Sequence, residues 1–254
     1  MSNILTIAQK ELKSYFASPI AYVIIGLFAL LYGGFYVVAV TFIAQQSLGL
    51  GFPGQQTINI NEMAIRPLLM NVSVVALFVL PLVTMRTYAE EKRTGTMELL
   101  LTSPLTDFQI IMGKFLGAMA LYTLMLAVTA IHIGILFVYG NPEWKPILAG
   151  YLGLLLMGGS FMSIGLLISS FTRNQIVAGM MTFAVLLLLW IVSWFGESAG
   201  PTTREVLTRL SITTHFDDFS KGVIDTKHVV YYLSFIAFGL FLTAKSVDSE
   251  RWRG

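Results

Sequence analysis

Polar breaks divide this chain into six long apolar runs, near Ile20–Ala44, Pro67–Met85, Phe115–Tyr139, Ile147–Ser170, Ile176–Phe195 and Val229–Ala244. A helix that crosses a bilayer core needs roughly 20 mostly apolar residues. Each run comes near that length, the last being the shortest, so the pattern predicts an all-α membrane protein with six transmembrane helices. An amphipathic stretch, Ile4–Phe16, precedes the first run. Lys10 and Lys13 followed by an apolar run have the outline of a signal peptide. The run is longer than the roughly 7–15 residues of a signal core, which predicts a retained first helix.

Start signals support these boundaries. Ser18 and Pro19 supply an N-cap and a proline in the first turn, where its missing N–H costs nothing. Arg66-Pro67 opens the second span in the same way. Thr106 with Gln109, and Thr202 with Glu205, have the spacing of capping boxes. The polar remainder is small: a loop around Gln45–Ile65, a segment Arg86–Lys114, and a segment Gly196–His228 in which helices are expected at Thr202–Leu210 and Asp217–Val223. None could form a second domain, so residues 1–254 are read as a single transmembrane domain.

Composition agrees: 56% of residues are hydrophobic, only 12% are charged, and the mean hydropathy is +0.75. A soluble domain carries about 25% charged residues; half of that cannot cover a water-facing surface. A net charge of +2 gives no reason to expect nucleic acid as a partner, and with no cysteine in the chain disulfides, thiolate chemistry and cysteine-ligated zinc are excluded. Orientation follows where the basic residues fall. Lys10, Lys13, Arg86, Lys92, Arg93, Lys114, Arg173, Lys245, Arg251 and Arg253 fall on one side, against Arg66, Lys145, Arg204, Arg209, Lys221 and Lys227 on the other. Ten against six predicts that both termini are cytoplasmic.

The segment Arg86–Lys114 is the most informative. Arg86, Glu90, Glu91, Lys92 and Arg93 make a charged stem that could prolong the second span into water. Gly95 loosens it, Thr96–Thr102 carries Met97, Leu99, Leu100 and Leu101, Ser103-Pro104 stops it, and Thr106 restarts a helix. Such a piece would present a firm knob at the membrane face; the plainer reading is a surface turn with leucines in the headgroups. Gly113-Lys114 is no phosphate cradle, because no glycine stands five positions earlier and Phe115 follows the lysine. Energy from ATP would therefore come from another subunit, and the chain itself is read as non-catalytic.

The remaining candidates have structural explanations beside the chemical ones. His132 is the one ionisable group deep in the third span, a position that suggests a proton relay but also suits a neutral ring bonded to a carbonyl. His215, Asp217 and Asp218 hint at metal ligation, yet a capped, solvated turn explains them as well. No Asp or Glu lies in a span core, which argues against an ion-coupled secondary transporter, the third function weighed below. Gly113-x-x-x-Gly117 and Gly159-x-x-x-Ser163 fit close helix packing.

Paired glutamates, Gly, Glu-Leu-Leu, Ser-Pro and Gly-Lys together resemble the coupling segment of ABC-2-type permeases, whose fold is that of type V exporters. More narrowly, SPIAYVIIGLF at 18–28, AEEKRTGTMELLLTSPLTDFQIIMGKFLG at 89–117, NQIVAG at 174–179 and FDDFSKGVIDTKHVVYYLS at 216–234 resemble the permease of the gliding-motility-associated ABC transporter group. The resemblance implies a multi-pass permease of the bacterial inner membrane, driven by a separate ABC ATPase that holds the ATP and Mg, with no cofactor on this chain. It implies a second permease copy or a related permease, an auxiliary subunit with a large periplasmic domain, and membrane lipid as further partners. Three ATPase contacts are implied: an interface helix bearing Lys10, Glu11 and Lys13; a coupling helix within Glu90–Pro104; and the turn that holds Arg173 and Asn174. In the coupling helix Leu99 and Leu100 would fill a groove on the ATPase, Glu98 or Arg93 would fix register, and Glu91, Gly95 and Pro104 would shape the element. The function expected is export; the alternatives are a permease-like transmitter of force to an envelope or motility machine, and a secondary transporter.

Overall fold

The computed structural model describes residues 2–48, 59–197 and 200–251. Among them the chain is helical, without a strand. Arg253 and the centre of the 45–65 loop lie outside the described residues.

Helix α1 (Ser2–Ala17) is followed after one residue by α2 (Pro19–Ser47), and Ser18 caps α2 by accepting from the Ile20 N–H. The second span begins earlier than Arg66-Pro67 suggests. A π-turn at Asn61–Ile65 runs directly into α3 (Arg66–Thr84), so Pro67 sits inside a continuing helix. After a short turn come α4 (Ala89–Thr94) and α5 (Thr96–Leu101), separated by Gly95 at φ 74°. Only glycine holds that left-handed geometry without cost. Helix α6 (Asp107–Tyr139) opens with the expected capping box: the Thr106 hydroxyl accepts from the Gln109 N–H, and the Gln109 side chain accepts from the Thr106 N–H. Then follow α7 (Trp144–Phe171) and α8 (Gln175–Glu197).

Two expectations for the last polar segment need correction. Helix α9 (Pro201–Leu210) starts at Pro201, two residues before a Thr202 cap would allow. Thr202 is therefore inside the helix and Glu205 pairs with Arg209 at 2.6 Å instead. Helix α10 (Ile212–Ser220) begins five residues earlier than Asp217, because Ser211 caps it at the Thr214 N–H. The last helix, α11 (Thr226–Arg251), outruns its apolar part at both ends. Helix α6 does likewise, and its 33 residues reach about 50 Å, well beyond a bilayer core. Hydropathy marks where a helix meets lipid; the helix itself continues into water.

Six helical stretches among the described residues are long and apolar enough to cross a membrane. They are unequally enclosed. Of the most apolar stretch in each, 72% is buried in α7 and 67% in the span that contains α3, against 17% in α2 and 22% in both α8 and α11. Helix α7 is central because its glycines each admit a neighbour's side chain. A Cβ would lie 2.4 Å from Leu69 at Gly150, 2.1 Å from Tyr122 at Gly158 and 2.1 Å from Thr84 at Gly165. The same device joins α7 to α11: Gly159 receives Ile236, and Gly239 of α11 receives Ser163.

Candidate functional site

The charged residues of α1, α4 and α6 converge at one end of the bundle. Helix α1 lies in a groove on α6, floored by the Gly113-x-x-x-Gly117 pair. A Cβ at Gly113 would come within 2.6 Å of Ile7, and one at Gly117 within 2.7 Å of the Glu11 Cβ. Glycine at both positions lets the backbones approach closely. Ile7 and Tyr15 of α1 are buried, and the Tyr15 hydroxyl donates to the Val83 carbonyl at 3.1 Å. Burial pushes the Tyr15 phenol up to about 12, so it remains a donor.

Lys114, between the two glycines, is the centre of the site. Its side chain is 1% exposed and its ammonium donates to Glu11 at 3.1 Å, Glu91 at 2.7 Å and the Thr87 carbonyl at 3.1 Å. It also stands 5.1 Å over the Tyr88 ring. A buried ammonium is costly unless charge and hydrogen bonding compensate it; here two carboxylates and a carbonyl do so. Lys10 lies 3.3 Å from Glu11 and 3.9 Å from Glu91, which balances two cations against two anions. Burial alone would raise the Glu11 carboxyl; Lys114 and Lys10 outweigh it and hold that carboxyl below its ordinary value.

The ends of α7, α8 and α11 also reach α4. Ser169 of α7 accepts from the Tyr88 and Ala89 N–H groups and donates to the Met85 carbonyl, which caps α4 from outside. Lys92 donates to the Ser170 carbonyl and pairs with Glu250 of α11 at 2.9 Å. Glu90 pairs with Arg86 at 3.1 Å and Arg93 at 3.4 Å, and accepts from Gln175 of α8 at 2.8 Å.

Helix α5 is held differently. Met97 is buried and Leu100 packs half-buried against the core, whereas Leu99 is 72% exposed. The two leucines expected to face a partner together thus differ in exposure, because adjacent helical positions lie about 100° from one another. Glu98, Arg93 and Pro104 are exposed. Between α1 and α5 opens a cleft of about 540 Å³, lined by Lys10, Glu11 and Ser14 on one side and Thr96, Leu99 and Leu100 on the other.

Two of the three elements implied for ATPase contact are therefore brought together. Glu11, expected on the polar side of the interface helix, is turned into the ion cluster at 12% exposure, while Lys10 and Lys13 stay exposed. The third element stands apart from the cleft and reaches it only through Gln175. Arg173 is exposed, and the Asn174 side chain caps α8 at the Ile176 and Val177 N–H groups. Sequence reasoning placed Lys114 merely at the end of the segment and missed its role. The one available signal was a lysine between two glycines at the entrance to a span.

At the opposite end, the Asp217 carboxylate bonds Arg66 at 2.8 Å and Lys221. Burial would raise it, but these two cations keep it below the ordinary carboxylate value. His215 and Asp218 do not form the solvated turn expected of them. They join His228, which the sequence reading did not single out, in a hydrogen-bonded chain. His132 Nδ1 donates to the Val128 carbonyl of its own helix at 3.0 Å, and its ring lies edge-on between Tyr32 and Tyr36.

Comparison with known proteins gives a consistent result. Residues 5–203 match the family described as ABC-2 family transporter protein. The "Probable multidrug ABC transporter permease YbhR" of Escherichia coli K12 is 31% identical over 144 residues, which are 56% of this chain and 39% of that protein. The "Inner membrane transport permease YhhJ" of Escherichia coli K12 is 28% identical over 141 residues, 53% of this chain and 36% of the relative. The matched region thus spans less than two-fifths of the length of these relatives.

Proposed function

The chain belongs to the ABC-2 family of transporter proteins, and from that premise we propose that it is the membrane-spanning subunit of an ATP-driven exporter whose ATPase, a separate chain, docks at the cleft between α1 and α5. The protein is a multi-pass inner-membrane protein, and in this reading the charged end with both termini faces the cytoplasm. ATP and Mg belong to the ATPase.

One observation carries the reading: an exposed apolar tip, Leu99, sits across a glycine break from a stem tied to five other helices. Arg86 and Glu91 line the cleft beside it, and their Nη1 donor and Oε2 acceptor are buried without a hydrogen-bond partner among the described residues. Closure of the ATPase would push α5. The motion would pass through α4 into α3, which continues the same span, and through Gln175 into α8.

The low enclosure of α2, α8 and α11 leaves broad apolar faces for lipid and for a second permease, and two copies facing each other would frame the pathway. The relative YbhR is named a probable multidrug permease, which supports reading the substrate of this chain as one or more drugs. The segments at 89–117 and 216–234 support a narrower placing beside the permeases of gliding-motility-associated transporters.

The absence of native cysteine makes the test direct. Leu99→Cys should react rapidly with a maleimide in the isolated permease and be shielded once the ATPase carrying a P-loop is bound. The same label, attached first, should block association and the stimulation of ATP hydrolysis. Equal labelling with and without bound ATPase would place the docking site elsewhere.

A further inference from the structure

Two histidine rings meet at the end of the bundle away from the cleft. His215 lies on α10 and His228 in the first turn of α11, with their Nδ1 atoms 2.6 Å apart. On the far side of His228, Nε2 is 2.7 Å from Asp218 Oδ2; on the far side of His215, Nε2 is 3.1 Å from the Arg209 carbonyl of α9. These are three contacts in series, from a carbonyl through two rings to a carboxylate.

Counting protons decides what this chain is. Each contact is a hydrogen bond only if one proton lies in it. The carbonyl can only accept, so His215 Nε2 carries hydrogen. Two neutral imidazoles hold one N–H each, which fills two contacts. The third needs a third proton, one more than two neutral rings beside a carboxylate possess. His215 resists becoming the charged member: burial lowers its affinity for a proton, and His228 and Lys227 add to that, against the Arg209 carbonyl and Asp218. His228, whose side chain is 6% exposed, is bonded to Asp218 on its other side.

The surrounding charges are otherwise committed. Arg209 pairs with Glu205, Lys227 with Asp225, and Asp217 with Arg66 of α3 and Lys221. Helix α7 meets this segment through Gly153 and Pro146, and α8 carries no ionisable group among its described side chains. Tyr231 stacks on His215 at 3.8 Å and donates to the Leu210 carbonyl at 2.9 Å, while Tyr232 donates to the Ile212 carbonyl at 2.7 Å. The junction of α9 and α10 is thus fastened to α11 by the ring chain and two phenols.

We propose that His215, His228 and Asp218 form a proton-held latch that fastens the α9–α10 segment to α11 and releases it when the shared proton is lost. The sign follows from the count. As pH rises and the third proton leaves, the two Nδ1 lone pairs face each other, or the His215 Nε2 lone pair faces the Arg209 carbonyl, or the His228 Nε2 lone pair faces the Asp218 carboxylate; each turns one attraction into repulsion. A fourth proton, at acid pH, would set N–H against N–H. The latch holds between these limits. It does not depend on where an ATPase binds.

Ile212, fully buried under the latch, reports its opening. In the cysteine-free background, Ile212→Cys in nanodiscs is labelled with an impermeant thiol reagent and normalised to exposed Thr202→Cys, which removes the pH dependence of the thiol itself. Between about pH 6 and pH 9, a range that brackets ordinary imidazole titration, the normalised rate should rise about tenfold, as expected for loss of one charged hydrogen bond. His228→Gln and Asp218→Asn should each abolish that rise. A flat ratio, or the same rise in both variants, overturns the latch. A second readout needs no change at the latch. With His132→Gln, ¹⁵N-histidine NMR sees only the two latch rings, and a scalar coupling between their Nδ1 atoms should be present near neutral pH. No coupling at any pH overturns the proposal.

Discussion

Helices α4 and α5 are six residues each, separated by one glycine, and they are held in opposite ways. Helix α4 is bonded by side chains of α1, α6, α7, α8 and α11, and its N-terminus is capped by Ser169. Helix α5 rests on the core through Met97 and Leu100 and turns Leu99 outward. The contrast teaches how a chain can expose a docking element without loosening the membrane bundle: ionic and hydrogen-bonded groups fix the stem, and a left-handed glycine isolates the tip. Substitutions that cut the stem should therefore cost stability, and those at the tip should cost only association.

The largest effect should come from Lys114→Met, which removes the buried cation between Glu11 and Glu91 and leaves them only the exposed Lys10. Breaking a buried pair costs about 3–5 kcal/mol, so the melting temperature should fall sharply. Adding Glu11→Gln and Glu91→Gln should recover part of the loss, since the three residues act as one network. A Lys114→Met variant that melts like wild type would remove the basis for calling α4 anchored.

Gly113→Val should come next. Its side chain would meet Ile7 at a Cβ distance of 2.6 Å, and overpacking of this kind costs about 1–3 kcal/mol. The amides of α1 should exchange faster while those of α7 keep their protection. Uniform loosening of the whole bundle would show that α1 is not a separable unit.

Acid should act in the same direction and more gently. The folded Glu11 carboxyl is held below its ordinary value, so its stabilising contribution is complete above the usual glutamate range, near 4.3. It should be lost as pH falls through the lowered folded value. Melting curves of wild type and Glu11→Gln should converge there and diverge at neutral pH.

The smallest change in stability belongs to the tip. Leu99→Ala should stay within about 0.5 kcal/mol of wild type yet weaken ATPase association. Leu100→Ala, half-buried, should cost roughly 1–2 kcal/mol of fold stability. Equal stability losses at the two leucines would erase the distinction between an outward and an inward face.

Much of this architecture is legible in sequence because lipid imposes a length. Six apolar runs became six helices, and Gly95 and Pro104 bounded α5 where local geometry demanded a break. Thr106 with Gln109 worked as a cap because both partners are three residues apart. Lys114 was not legible as a hub, since its partners Glu11 and Glu91 lie 103 and 23 residues away in the chain. A charge pair at that separation leaves no local pattern. Glu11 was placed on a polar face for the same reason: periodicity says that a side is polar, not whether another helix completes it. His228 was passed over as the start of a span, and only the return of α10 against α11 gives it a partner. The capping box at Thr202 failed because Pro201 offered an earlier start.

The most direct test of the anchored stem and free tip is hydrogen exchange of residues 89–94 and 96–101 in the permease alone and in its complex with the ATPase. The account predicts that the stem is protected in both states, and that the tip exchanges quickly alone and slows only in the complex. A tip whose exchange is unchanged by the ATPase, or a stem as quick as the tip in the free permease, would contradict it.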